Sequence, residues 1–216
     1  MKIVDLTHPL SDDMPVYPGL ARPTFRPIAE WDPDGYRMSE YQMLNHIGTH
    51  VDAPSHLSAD GDTLDEIDLT RLVCDAVTID VSARDPGPLP LAEIEPYLEQ
   101  LRAGDLVFLH SGNAARYGSE AYWSGWSYPD ADASRALVDR GVSGIGFDGP
   151  SADPVDTPDY SLHRIWLEAG RLILENLANL DQLPARAPVV VAPLKVSRAN
   201  GAPARVLALL PDADGR

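Results

Sequence analysis

The sequence predicts a strand-rich mixed α/β fold in a single domain covering residues 1–216. Three observations carry that expectation. The chain is long enough to bury one substantial core, and its 44% hydrophobic and 23% charged residues are ordinary globular values. Short β-rich runs outnumber helix-periodic stretches and alternate with them irregularly, unlike a regularly wound βαβ series. The 16 glycines and 20 prolines concentrate at 9–27, 86–90 and 141–158, which implies long shaped loops. None of these stretches reads as a flexible linker between autonomous units.

In chain order, strands are expected at 2–6, 41–46 and 76–81, each a short β-rich run bounded by turn residues. Residues 91–102 read as helix, with Leu91, Ile94, Leu98 and Leu101 forming an apolar stripe and Glu93, Glu95, Glu99 and Gln100 facing outward. The run 106–110 returns to strand, 132–140 to helix, 144–147 to strand and 161–169 to helix. Strands at 172–175, 188–191 and 205–210 follow. Spacing does not fix their order in a sheet.

Composition narrows the partners. With 17 Lys and Arg against 33 Asp and Glu, the net charge is −16, and no basic cluster offers a footprint for nucleic acid. No stretch approaches the roughly 18 uninterrupted apolar residues of a membrane helix, and Met1-Lys2-Ile3-Val4-Asp5 lacks an apolar signal core. The expectation is a cytoplasmic protein without membrane association. The single Cys74, beside Leu72 and Val73, cannot form an internal disulfide and reads as a small buried thiol.

The informative segment is Asn45-His46-Ile47-Gly48-Thr49-His50-Val51-Asp52-Ala53-Pro54-Ser55-His56, which holds three of the six histidines. His46 and His50 share a helical spacing, but Gly48, β-branched Thr49 and Val51, and Pro54 all oppose helix. A strand leading into a loop fits better. In an extended chain, alternate side chains share a side, so His46, Gly48, His50, Asp52 and His56 point into one space, with Gly48 leaving room for an ion. Two imidazoles and a carboxylate suit a divalent metal such as zinc or manganese, and three protein ligands leave a position open for water. A bound ion lowers the pKa of its water to about 7 and polarises a carbonyl. His56, one step beyond the ligands, suits proton transfer.

Other signals are weaker. Gly144-Ile145-Gly146-Phe147-Asp148-Gly149 satisfies Gly-x-Gly-x-x-Gly, but Pro150 and Pro154 deny the helix that a dinucleotide site needs. No Gly-x-Ser-x-Gly elbow occurs, and Ser111 beside His110 lacks the context of an activated nucleophile. His8 and His110 read as hydrogen-bonded histidines outside the site.

The string from His46 to His56 matches every specified position of His-x-Gly-Thr-His-x-Asp-x-Pro-x-His. On it the chain resembles the cyclase family of metal-dependent hydrolases, which includes bacterial kynurenine formamidases and isatin hydrolases. The likeness continues through Val4-Asp5-Leu6-Thr7, Pro15-Val16-Tyr17-Pro18-Gly19, Gly146-Phe147-Asp148 with Ser151 and Asp153, His163, and Glu175-Asn176-Leu177. It implies that His46, His50 and Asp52 bind metal, that His56 is the acid/base, and that His163 and Glu175 complete the metal site. It also implies a compact domain with a swivelling β/β/α-type core, a homodimer, and one or two divalent ions per chain, zinc ahead of manganese.

The reaction implied is hydrolysis of an amide in a small aromatic substrate by metal-bound hydroxide, as in an arylformamidase of tryptophan catabolism. Lactam or lactone opening, or a cyclisation, is the nearer alternative; a non-catalytic metal-binding module is the farther one. Tyr17 stands where the formamidases carry a substrate-packing tryptophan. It keeps a flat face for an aromatic substrate and adds a hydroxyl. The stretch Tyr122-Trp123-Ser124-Gly125-Trp126 fits a pocket wall and a subunit contact equally.

Overall fold

The computed structural model describes residues 1–212. Its strands are β1 (Lys2–Asp5), β2 (Thr24–Ala29), β3 (Met38–Gln42), β4 (His50–Asp52), β5 (Val73–Asp80), β6 (Gly87–Leu89), β7 (Leu106–His110), β8 (Ser127–Pro129), β9 (Gly144–Phe147), β10 (Leu172–Glu175), β11 (Arg186–Pro193) and β12 (Gly201–Leu210). A short turn of helix, α1 (Trp31–Asp34), precedes α2 (Leu91–Leu98), α3 (Ala131–Asp139) and α4 (Ser161–Leu167).

Eight strands share one sheet in the order β1-β12-β11-β5-β7-β9-β10-β4, and β4 also pairs with β12, so the sheet closes into a barrel. Neighbours β5, β7, β9 and β10 run parallel, while β4, β11 and β12 meet their partners antiparallel. Alternation along the strands sorts the apolar residues into two cores. Val51, Ala76, Leu106, Phe108, Leu174 and Val206 belong to the inner cluster, and Val77, Val107, Ile145 and Ile173 to the outer one, which includes Ile94, Leu137 and Trp166 of the helices. Gly146 keeps the interior open for its neighbours. A methyl group there would lie 2.7 Å from both Phe108 and Leu177.

This is the strand-rich α/β domain expected, with local differences. The strand expected at 41–46 is displaced: β3 ends at Gln42, and the chain bends at Asn45 and His46 before Gly48, which adopts φ 57°. β2 escaped the pattern because Arg26 and Pro27 interrupt its apolar residues, and it pairs with β3 as a ribbon outside the barrel. Two helices stop short of expectation. In α2 the last turn tightens as Gln100 N–H bonds to the Tyr97 carbonyl, and after α4 Gly170 at φ 72° breaks the chain away.

Candidate metal centre

Strand parity builds the site. Val51 points into the barrel core, so its neighbours His50 and Asp52 face the opposite side, and the antiparallel register sets Glu175 of β10 across from His50. α4 lies over this same face and supplies His163. His46 arrives from the bent segment before β4 rather than from an extended strand.

The five side chains converge. Asp52 Oδ1 lies 2.6 Å from His46 Nδ1 and 3.3 Å from His50 Nε2, which is also 3.4 Å from Glu175 Oε2. His163 Nε2 lies 3.2 Å from Glu175 Oε1 and 3.8 Å from Asp52 Oδ2. Two overlapping groups result, His46–His50–Asp52 and Asp52–His163–Glu175, each with its donor atoms within 4.8 Å of one another. The donor chemistry fits divalent ions, and so does the support behind it. His50 Nδ1 is 2.8 Å from the Gly48 carbonyl, and His163 Nδ1 is 2.5 Å from Asp153 Oδ2. Each contact assigns the Nδ1 proton and turns Nε2 toward the carboxylates, as metal-binding histidines are held.

Burial alone would lower the pKa of His50, but Asp52 and then Glu175 outweigh it and raise the ring to about 9. Burial likewise opposes charge on His163, yet its bonds to Asp153 and Glu175 push it up to about 10. For Asp52, the surrounding histidines overcome burial and hold the carboxyl well below its usual value. His56 differs. It ends the short 3-10 turn Pro54–His56, its ring centre 4.0 Å from that of His46 and 6.4 Å from that of His163. Burial, only partly offset by Asp52, brings it down to about 4, so it is neutral at pH 7.

These groups sit in a cavity of about 390 Å³ whose walls include Tyr17, Leu20, Leu44, Ile47, Trp123 and Tyr160. Tyr17 thus lines the cavity, edge-on to Trp123 at 5.8 Å, and its hydroxyl donates to the Val155 carbonyl at 2.9 Å. Trp123 joins the cavity wall.

Gly48 does not make room for an ion. A methyl group there would lie 2.7 Å from Leu10 and 2.9 Å from Met14, so the space beside it is already packed. Its carbonyl is the useful part, accepting from Asn176 Nδ2 at 2.9 Å as well as facing His50. Two residues outside any motif also shape the site: Gly201, where a methyl group would meet the His46 ring at 2.3 Å, and Asn200, whose Oδ1 lies 3.1 Å from His46 Nε2. Asp153 was part of the resemblance without a task; here its two oxygens also accept the Leu162 and His163 backbone N–H groups at 2.9 Å.

The signals set aside stay outside the centre. Ser111 Oγ donates to Asp148 at 2.5 Å, Gly149 packs against Trp126, and His8 and His110 line another cavity.

A closed barrel carrying two overlapping histidine–carboxylate groups at the foot of an aromatic-walled cavity has the layout of a metal-dependent hydrolase. The chain belongs to the cyclase family, whose model, described as putative cyclase, matches residues 4–154. It is 31% identical over 210 residues to a kynurenine formamidase of Salinibacter ruber, covering 96% of this chain and 97% of the relative. Its fold is similar to that of an isatin hydrolase bound to the product analogue thioisatinate, with a TM-score of 0.89, 29% identity, and coverage of 98% and 93% of the two chains. A potential metal-dependent hydrolase with cyclase activity is similar at a TM-score of 0.82 and 29% identity, over 96% of each chain.

Proposed function

We propose that this enzyme hydrolyses the amide bond of a small aromatic substrate, an aryl formamide first, with His46, His50 and Asp52 holding one divalent ion and His163, Glu175 and a shared Asp52 holding a second. The observation that carries the reading is the placement of the His56 imidazole, its ring centre 4.0 Å from that of His46, beside this buried donor set in a cavity walled by Tyr17, Trp123 and Tyr160. A non-catalytic metal-binding module has no use for such a base. Divalent ions bound there supply Lewis acidity, polarising a carbonyl and acidifying water. The aromatic walls orient the substrate ring and exclude bulk water, and His56 takes a proton from the attacking water and returns it to the leaving nitrogen.

Three imidazoles with two carboxylates favour zinc, with manganese as the second choice. The reading includes a homodimer, supported by the apolar side chains exposed on β2, β3 and their connection. It also places the protein in the cytoplasm, where the lone Cys74 stays reduced.

The test is metal analysis of protein purified without added metal, beside kinetics on an aryl formamide, a cyclic aryl amide and a lactone. Turnover of the formamide ahead of the others, lost on chelation and restored by zinc, is the expected result. Preference for the cyclic amide would reassign the reaction within the family, and no turnover of any of them would end the amide reading.

A further inference from the structure

The segment 150–160 connects β9 to α4 without helix or strand and contains Pro150, Pro154 and Pro158. Its position matters because it carries Asp153. That buried carboxylate caps the first turn of α4 through the Leu162 and His163 N–H groups and fixes the His163 ring through Nδ1. Beyond it, Tyr160 enters the helix in the left-handed region at φ 52°, a conformation that a bulky residue adopts only when its surroundings impose it.

Near Asp153 the segment is tied by Trp126 Nε1 donating to the Ser151 carbonyl at 2.8 Å and by Ala152 N–H donating to Glu175 at 3.1 Å. On the far side of Asp153, two residues on, the Val155 carbonyl accepts the Tyr17 hydroxyl at 2.9 Å, a tie spanning 138 positions of sequence. A phenylalanine would fill the cavity wall against Trp123 equally well, so the hydroxyl serves the loop rather than the wall. Burial raises the Tyr17 pKa, which keeps the hydroxyl protonated and donating across the neutral range.

We propose that the Tyr17 hydroxyl is a positioning group: by holding Val155 it keeps Asp153 seated, and Asp153 in turn keeps His163 aimed at the metal centre. One side chain thereby joins the substrate wall to the orientation of a proposed metal ligand 146 positions away in sequence. The consequence for the ion rests on the metal-centre reading; the consequence for the loop does not.

The experiment compares Tyr17→Phe with the wild-type full chain, first metal-free and then zinc-loaded. Losing a hydrogen bond of ordinary net strength corresponds to about a fivefold change in a local opening equilibrium. Exchange of the Leu162 and His163 amide hydrogens should therefore quicken about fivefold, with Val51 and Leu174 in the barrel unchanged. In the zinc-loaded protein, one of the two ions should leave to a chelator about fivefold faster. In an Asp153→Ala background the same substitution should add nothing, because the link is already cut. Wild-type exchange at Leu162 and His163 in Tyr17→Phe would overturn the proposal, as would faster exchange spread evenly through the barrel. If the wild type binds no zinc, the metal-centre reading fails, while amide exchange still decides the role of Tyr17.

Discussion

In the metal-free protein, His56 and His163 carry the same imidazole in opposite protonation states because their neighbours differ. Burial acts on both, but His163 is compensated by Asp153 and Glu175, and His56 is largely not. A ring brought down to about 4 is a free base at neutral pH. His56→Ala should keep its metal while turnover falls by roughly 10²- to 10⁴-fold, the usual worth of a positioned acid/base. Metal analysis beside kcat checks this, and loss of the ion would make His56 a ligand instead. His50 and His163, at about 9 and about 10, carry protons in the metal-free protein. Both values lie above the ordinary 6.5, so the stabilisation their carboxylate pairs give is complete below 6.5 and is lost as the pH rises through 9 to 10. Ligation through Nε2 requires those protons to leave. Calorimetry at pH 7.5 in buffers of different ionisation enthalpy should show roughly two protons released on loading both ions, with affinity falling as the pH is lowered. Binding without proton release would contradict the ligand assignment.

β4 is only three residues long, yet it is paired on both edges, with β10 on one side and β12 on the other. The register to β12 sets Gly201 across from Asp52 and beneath His46. Gly201→Ala would place a methyl group 2.3 Å from His46 Cε1, so the ring must leave its place or the strands must part. The expected outcome is a folded protein that has lost the His46–His50–Asp52 ion and most activity, read by metal content and circular dichroism; full occupancy would show that His46 has freedom the packing denies. This position also marks what the sequence could reveal. The candidate metal-binding side chains within 46–56 were legible as a cluster because a short segment carries them together, and His163 and Glu175 as candidates because their residue types fit the family pattern. Gly201, Asn200 and Asp153 were not, because each acquires its task only from register or loop path. The same limit misplaced β3, where the apolar run continued past Gln42 but the hydrogen bonds of Gly48 and Thr49 to Asn176 demanded a bent chain.

At the scale of the molecule, the barrel is complete in itself, while β2, α1 and β3 project from it as a two-stranded ribbon. Every residue of β3 is exposed, and Trp31 and Tyr41 are 69% and 64% accessible, beside the half-exposed Ile28, Tyr36 and Met38. An isolated two-stranded hairpin is marginal in water, and apolar side chains this exposed, distributed over both of its faces, favour a ribbon that is covered by a partner. A second copy offers the same ribbon, which is the requirement of a two-fold interface. Light scattering should therefore give the mass of two chains of 23.4 kDa each. Each chain carries a net charge of −16, so mutual repulsion opposes association and screening relieves it. The dimer should accordingly tighten as salt is raised, opposite to an interface held by ion pairs. Trp31→Glu with Tyr41→Lys should yield monomers whose barrel melts as before, since neither residue belongs to the inner or outer core. A monomeric wild type, or a dimer untouched by the double substitution, would remove the ribbon from this role.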